Sequence, residues 1–276
     1  MFFIFALALA STLLFTLFFG SSYGFSAVVA PQDLILHAYE HCHFTTRTRL
    51  VLGWAGVPFN LKWYGYGDGA DPGKCEGFGY NPVDGGTIPL MGKKMCPVLT
   101  GTQVPTLEGK LGMGESMEIC SYGISIGNKV VAPATGRSDV SKWLDDCGST
   151  RKALERVRLI RMPISDFADQ RDIDYTKWTH TKMGFDYDQA ERDTDKLLVD
   201  MKVHFDQLSG MFRGEDQESG MPTLNAWGVS IDDAMVLPII RSLTCVRGIE
   251  MPTKIKKYVE KGCAKAGVSL FTQYAN

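Results

Sequence analysis

Residues 33–64 read DLILHAYEHCHFTTRTRLVLGWAGVPFNLKWY. DLILHAY (33–39) is a short apolar run containing a β-branched residue, the composition of a buried strand. TTRTRLVLGWAG (45–56) then sets Leu50, Val51 and Trp54 at helical spacing and stops on Gly56. VPFNLKWY (57–64) supplies a second strand. Strand, helix and strand in this order make a parallel βαβ unit, which crosses over right-handedly. At the turn into the helix, HAYEHCHFTT (37–46) gathers three of the five histidines around Cys42.

Histidine and cysteine together suit zinc or copper. However, His37 lies in a strand whose successive side chains face opposite sides, and His41 and His43 would have to curl around Cys42. No second ligand pair occurs elsewhere, so no metal is expected. A cysteine where a strand passes into a helix meets unpaired N–H groups and the positive end of the helix dipole, which stabilise a thiolate. Arg47 and Arg49 add positive potential. The local sequence leaves two readings open, a nucleophilic thiol and an inert buried cysteine in a βα turn.

The chain has 276 residues, enough for one large domain or two ordinary ones. Its 45% apolar and 22% charged residues are those of a globular protein, and a net charge of −2 gives no field for nucleic acid. Seven cysteines, at 42, 75, 96, 120, 147, 245 and 263, are too sparse for a disulfide scaffold and lack CxxC spacing. MFFIFALALASTLLFTLFFG opens the chain almost wholly apolar, with no charge before Asp33. Residues 1–24 are therefore expected to be a signal peptide or a membrane anchor, with Ser22 and Gly24 as the small residues of a cleavage site. That leader addresses the secretory pathway, or a plastid through a bipartite leader with its junction at Phe25. The mature protein is expected to be soluble, and to meet a membrane only if the segment is retained.

Residues 65–90 are rich in glycine and contain proline, long for a connection inside a compact domain. They read as a functional loop or a mobile insertion. MCPVLTG (95–101) and VPTLEG (104–109) read as two strand starts. GESMEICSYGISIG (114–127) opens a helix with Ser116 placed to cap it and Ile119, Tyr122 and Ile124 turned inward. From 137 the pattern is helical. Val140, Trp143, Leu144, Leu154, Val157 and Ile160 recur in one segment, and Leu198, Met201, Phe205, Leu208 and Phe212 form a stripe in another. Ser230 and Asp233 stand at capping-box spacing. Clear strand signals are absent after 125.

With these motifs in view, the chain resembles the two-domain, glutathione-transferase-like glutaredoxins of type 2. EHCHFTTRTRL resembles their D-H-C-P-Y-C-x-x-x-R turn, and MGKKMCPVL their G-x-K-x-V-P-x-L segment around a cis-proline. GESMEICSY resembles P-E-S-M-D-I-x-x-Y, and TGRSDVSKWL the linker into the second domain. VSIDDAMVLPIIRSLTCVRGIEMP resembles L-S-E-D-D-I-x-L-F-P-L-L-R-N-L-T-L-V-x-G-I-x-W-P. The motifs keep this order from about 33 to 276, and only the leader and the 65–90 loop fall outside.

The resemblance implies an α/β thioredoxin-like domain over 33–127, a linker over 128–137 and an all-α domain over 138–276. It implies glutathione as co-substrate and disulfides or glutathionylated molecules as substrates. Cys42 would be the catalytic thiol; His43, Phe44, Thr45, Cys96, Pro97, Val104, Pro105, Glu115 and Ser116 would line the glutathione site. Glu115 and Ser116 would hold the γ-glutamyl end at a helix start. The residue before the cis-proline would pair its backbone with the cysteinyl part. Pro97 fits the cis position by its sequence context and Pro105 by its nearness to Glu115, with Pro97 preferred.

The departures shape the chemistry. Thr45 replaces the second cysteine of the family motif, so no disulfide can form within it and a monothiol cycle follows. His43 replaces proline, either exposed or a thiolate-stabilising imidazolium. It also stands where cluster-binding monothiol enzymes carry glycine, which argues against an iron–sulfur cluster. Cys96 and Cys75 are candidate resolving thiols. A transferase or dehydroascorbate-reductase-like enzyme, with Trp143, Tyr122 and the 65–90 loop walling an acceptor pocket, is one alternative. A non-catalytic glutathione-binding module is another.

Overall fold

Leu36 and Ala38, both without solvent exposure, anchor a central strand, β1 (Ile35–Ala38). The computed structural model describes residues 31–276, so the leader expected over 1–24 lies outside the described residues. After β1 come α1 (His43–Trp54) and β2 (Asn60–Trp63), and β2 lies parallel to β1 with Ile35 opposite Asn60. A one-turn helix, α2 (Ile88–Met91), precedes β3 (Val98–Thr100), which runs antiparallel to β1 with Ile35 opposite Thr100 and His37 opposite Val98. The sheet order is β2-β1-β3, and α3 (Ser116–Ile126) packs beside α1. This is a small thioredoxin-like α/β layer.

An all-helical layer follows: α4 (Ser138–Asp146), α5 (Gly148–Leu159), α6 (Gln170–Lys182), α7 (Tyr187–Arg192) and α8 (Thr194–Ser209). A hairpin of β4 (Gly214–Glu215) and β5 (Pro222–Thr223) leads to α9 (Ile231–Leu243) and α10 (Thr253–Lys265). Among the described residues no helix is long and apolar enough to cross a membrane. Trp143, Leu154, Val157, Met201, Phe205 and Leu208 are buried, as a helical stripe facing a core requires. One core spans both layers, because α1 is wedged between α3 and α9, and the Trp54 indole N–H donates to the Gly262 carbonyl at 2.9 Å.

Three local expectations need correction. VPTLEG forms turns; the bridge that extends the sheet past β3 is made instead by Met113 with Leu99. The β4–β5 hairpin adds strand after 125, and two-residue strands are too short to show alternation. Helices α6 and α7 occupy 170–192, inside the region read as helical from 137. Ser116 is the first residue of α3 and does not cap it; Glu115 holds the cap position at φ 61°.

The glycine-rich segment is pinned at several points. The Asp68 carboxylate accepts from the Asn81 side chain at 3.1 Å and the Gly86 N–H at 3.0 Å. Asp172 of α6 accepts from the Gly67 N–H at 2.7 Å and the Tyr80 hydroxyl at 2.8 Å. Gly65 must lack a side chain there, since a Cβ would stand 2.5 Å from the Asp172 carboxylate.

At the start of α9 the Ser230 hydroxyl accepts from the Asp233 N–H and donates to the Asp233 carboxylate at 2.6 Å. Asp233 also accepts from the Leu224 N–H at 3.0 Å, and burial pushes its carboxyl up to about 6. Both residues are buried, so the box is out of reach of water. Ser230→Ala is expected to lower the unfolding free energy by about 1 to 2 kcal/mol in denaturant titrations, the cost of a lost N-cap.

Candidate functional site

The three histidines of the opening segment part ways. His37 is buried under the sheet, with Nδ1 at 2.6 Å from the Tyr64 hydroxyl and Nε2 at 3.0 Å from that of Thr100. Burial lowers its pKa to about 4. His41 Nδ1 meets the Asp166 carboxylate at 2.6 Å. His43 Nε2 lies 3.2 Å from Glu155, while the Arg151 guanidinium donates to Nδ1 at 3.3 Å. Each ring is held by a different element, and among the described residues no metal-holding group of three or more His, Cys, Asp or Glu occurs.

His43 is therefore not the exposed residue of the first reading. Its side chain keeps 24% of its surface, and Glu155 and Arg151 of α5 clasp it. Glu155 also pairs with Arg151 itself and accepts from the Ser242 hydroxyl at 2.6 Å. Its carboxyl is held well below the usual range, because His43, Arg151 and Ser242 together outweigh its burial.

Cys42 occupies the cap position of α1, partly exposed. The turn before it is fastened by the helical domain. The buried Asp166 carboxylate accepts from the Glu40 and His41 N–H groups, each at 2.8 Å. Arg241 of α9, 1% exposed, donates to the Glu40 carbonyl at 3.0 Å and the Thr46 hydroxyl at 3.2 Å, with its guanidinium 3.9 Å from the centre of the Phe271 ring. Both hydrogen-bonding groups of the Glu40 peptide unit are thus satisfied from across the domain boundary, which fixes the entry angle of the chain into α1.

Around the sulfur two effects oppose each other. Burial pushes the Cys42 thiol up, while the Thr45 and Phe44 N–H groups and the Thr45 hydroxyl favour the thiolate. Burial wins, so the low resting pKa expected for a helix-start cysteine is not met. Groups that favour the thiolate also favour the negative charge that gathers on sulfur during exchange. Since the thiolate is the nucleophile, a raised pKa means that reactivity keeps climbing above neutral pH. Iodoacetamide labelling of Cys42 is expected to increase with pH up to or beyond pH 9; a plateau reached below pH 7 contradicts this.

Thr45 has no exposed surface, so its side chain offers nothing to a ligand, and its hydroxyl favours the Cys42 thiolate. Phe44 is 55% exposed, with the Arg47 guanidinium 5.3 Å from its ring centre. Arg47 reaches on to the Ser116 hydroxyl at 3.1 Å, tying the start of α1 to the start of α3. Of the two prolines weighed for the cis position, the Cys96–Pro97 bond is the cis one. Val104 is buried, whereas Pro105 and Glu115 border an apolar hollow with Met91, Met95 and Met113.

A second hollow of about 250 Å³ lies between the domains, lined by Cys42, His43, Phe44 and Tyr66 on one side and Arg151, Glu155, Arg156 and Phe167 on the other. Of the candidate residues, Cys42, His43 and Phe44 line this hollow and Pro105 and Glu115 the apolar one, while Thr45, Cys96, Pro97, Val104 and Ser116 line neither. Neither Trp143 nor Tyr122 walls the inter-domain hollow. Trp143 is 1% exposed in the core, and the Tyr122 hydroxyl donates to the Gln103 carbonyl. The loop residue Tyr66 does wall it.

The sequence reading missed Asp166, Arg241, Arg151 and Glu155. Arg241 had a signal, a charge inside the apolar run AMVLPIIRSL, which marks a buried and paired ion. Asp166, in PISDF, carried none.

A thioredoxin-like layer with a cysteine at a helix start, a cis peptide before Pro97 and a helical second domain defines a glutathione-transferase-like architecture. The comparisons refine this. Residues 139–275 match the family model described as Glutaredoxin 2, C terminal domain. Glutaredoxin 2 of Escherichia coli K12 is 21% identical over 244 residues, covering 87% of this chain and 99% of that protein. The crystal structure of glutaredoxin 2 from Salmonella typhimurium in complex with glutathione superposes with a TM-score of 0.71 at 20% identity, covering 89% of this chain and all of that one. A glutathione transferase from Phanerochaete chrysosporium gives 0.57 at 14% identity, with 86% and 98% covered. The chain resembles glutaredoxin 2 along nearly all of its length, and its residues 139–275 match the glutaredoxin 2 C-terminal domain model.

Proposed function

We propose that the protein is a glutathione-dependent thiol–disulfide oxidoreductase with Cys42 as its nucleophile. The observation that carries this is the position of Cys42, partly exposed at the start of α1 and beside the inter-domain hollow, on a turn that Asp166 and Arg241 hold from the helical domain. Cys42 attacks a glutathione mixed disulfide, takes the glutathionyl group and releases the other thiol. A second glutathione then removes that group as glutathione disulfide. Thr45 stands in the place of the motif's second cysteine, so no disulfide closes within it. The γ-glutamyl carboxylate of glutathione is suited to the free N–H groups at the start of α3, behind Glu115 and Ser116.

The likeness to glutaredoxin 2 supports this reading over a transferase. A glutathione-coupled assay on a glutathionylated small disulfide tests it, with Cys42→Ser as control. Conjugation of aryl halides that survives the loss of Cys42 would point to a transferase.

A further inference from the structure

Cys96 stands where the register of the sheet brings it to the active-site turn. The β1–β3 pairing sets Ile35 against Thr100 and His37 against Val98, so the chain entering β3 from Cys96 and the chain leaving β1 at Tyr39 lie at the same end of the sheet. The Cys42 N–H then folds back to the Tyr39 carbonyl at 3.3 Å. Both cysteines are partly exposed. Burial and the negative charge of a Cys42 thiolate both oppose ionisation of Cys96.

Next to Cys96 lies a built polar relay that the proposed function leaves unused. Lys94, two residues before Cys96, donates to the Tyr39 hydroxyl at 2.7 Å, and that hydroxyl favours the Cys96 thiolate. The Lys94 ammonium is caged by the rings of Tyr39, Tyr66 and Tyr175, 4.7, 4.7 and 5.4 Å from their centres. Tyr175 belongs to α6, so the cage spans both domains. Burial draws Lys94 down to about 8, against the pull of Cys96, Asp172, Asp68 and Asp166. It holds the Tyr39 phenol far above its ordinary range, so Tyr39 keeps its proton to donate.

We infer that Cys96 is a second redox thiol, which resolves glutathionylated Cys42 by forming a Cys42–Cys96 disulfide, with Tyr39 and Lys94 as its proton relay. The inference rests on the proposed chemistry of Cys42 and deepens it. Cys42 first displaces the substrate thiolate and carries glutathione as a mixed disulfide. The Cys96 sulfur attacks that of Cys42: the Cys42–Cys96 bond forms, the Cys42–glutathione bond breaks, and glutathione leaves as a thiolate that takes up a proton. The proton of Cys96 passes through the Tyr39 hydroxyl to neutral Lys94. Two electrons have moved from the cysteine pair to the substrate disulfide. Two further glutathiones reduce the pair and depart as glutathione disulfide.

The test is to treat the full chain with limiting glutathione disulfide, quench in acid, alkylate and map the peptides. The wild type is expected to yield a Cys42–Cys96 linked peptide, and Cys96→Ser to hold glutathione on Cys42. Tyr39→Phe and Lys94→Met are expected to slow linkage roughly ten- to a hundredfold, the scale of a lost proton relay, while the Cys42 adduct accumulates. Lys94→Met also removes the rise of the linkage rate through pH 8. A wild type that keeps glutathione on Cys42 without any linked peptide overturns the second thiol. Uptake of glutathione by Cys42→Ser at the wild-type rate overturns the Cys42 reading beneath it.

Discussion

Cys42→Ser is expected to reduce glutathione-dependent disulfide exchange by at least about 10³-fold, because the alkoxide that would have to replace the thiolate is not formed at neutral pH. Thr45→Ser should leave the rate nearly unchanged, since the hydroxyl that favours the thiolate is kept. Thr45→Ala removes that hydroxyl and is expected to cost an intermediate amount, about tenfold, on the scale of one charge-assisted hydrogen bond. The order Cys42→Ser, Thr45→Ala, Thr45→Ser separates a sulfur served by its surroundings from one that only happens to be reactive. Steady-state kinetics on a glutathionylated small disulfide reads all three.

The second large effect lies far from the sulfur in sequence. Asp166→Ala is expected to destabilise the fold by about 3 to 5 kcal/mol and to depress activity beyond that loss. The carboxylate is buried and takes three hydrogen bonds from the Glu40–His41 turn, two from backbone N–H groups and one from the His41 ring. Its removal strands two N–H groups away from water and frees the turn that delivers Cys42 to α1. Asp166→Asn, which keeps the shape and one acceptor oxygen, should recover part of the stability. Denaturant unfolding of both variants checks this; an Asp166→Ala protein as stable as the wild type would show that the inter-domain clasp carries little energy.

The α/β layer was legible because its signals are local. DLILHAY and VPFNLKWY are short apolar runs, and Leu50, Val51 and Trp54 are spaced for one helical face. The stripes through Trp143 and through Met201, Phe205 and Leu208 likewise mark a buried face without help from tertiary structure, and all four residues are buried. The Glutaredoxin 2 likeness was carried by motif order along the chain rather than by any single motif. What escaped was non-local. Asp166 acquires its role only because the segment before α6 folds onto the Glu40–His41 turn, a separation of 125 residues for His41. The clasp on His43 by Arg151 and Glu155 crosses the domain boundary in the same way, and no spacing rule connects positions 43 and 155. The resting state of Cys42 was misjudged for a related reason. The helix start was visible in the sequence, but the burial that outweighs it comes from residues that assemble only in the fold.

The most direct measurement of the central claim is the order in which the seven cysteines react. The full chain is exposed briefly to substoichiometric glutathione disulfide, and the free thiol left at each position is quantified by differential alkylation. Cys42 is expected to disappear first, and its replacement by serine to leave the other six nearly untouched over the same interval. Consumption of Cys75 or Cys96 while Cys42 stays free would contradict the account.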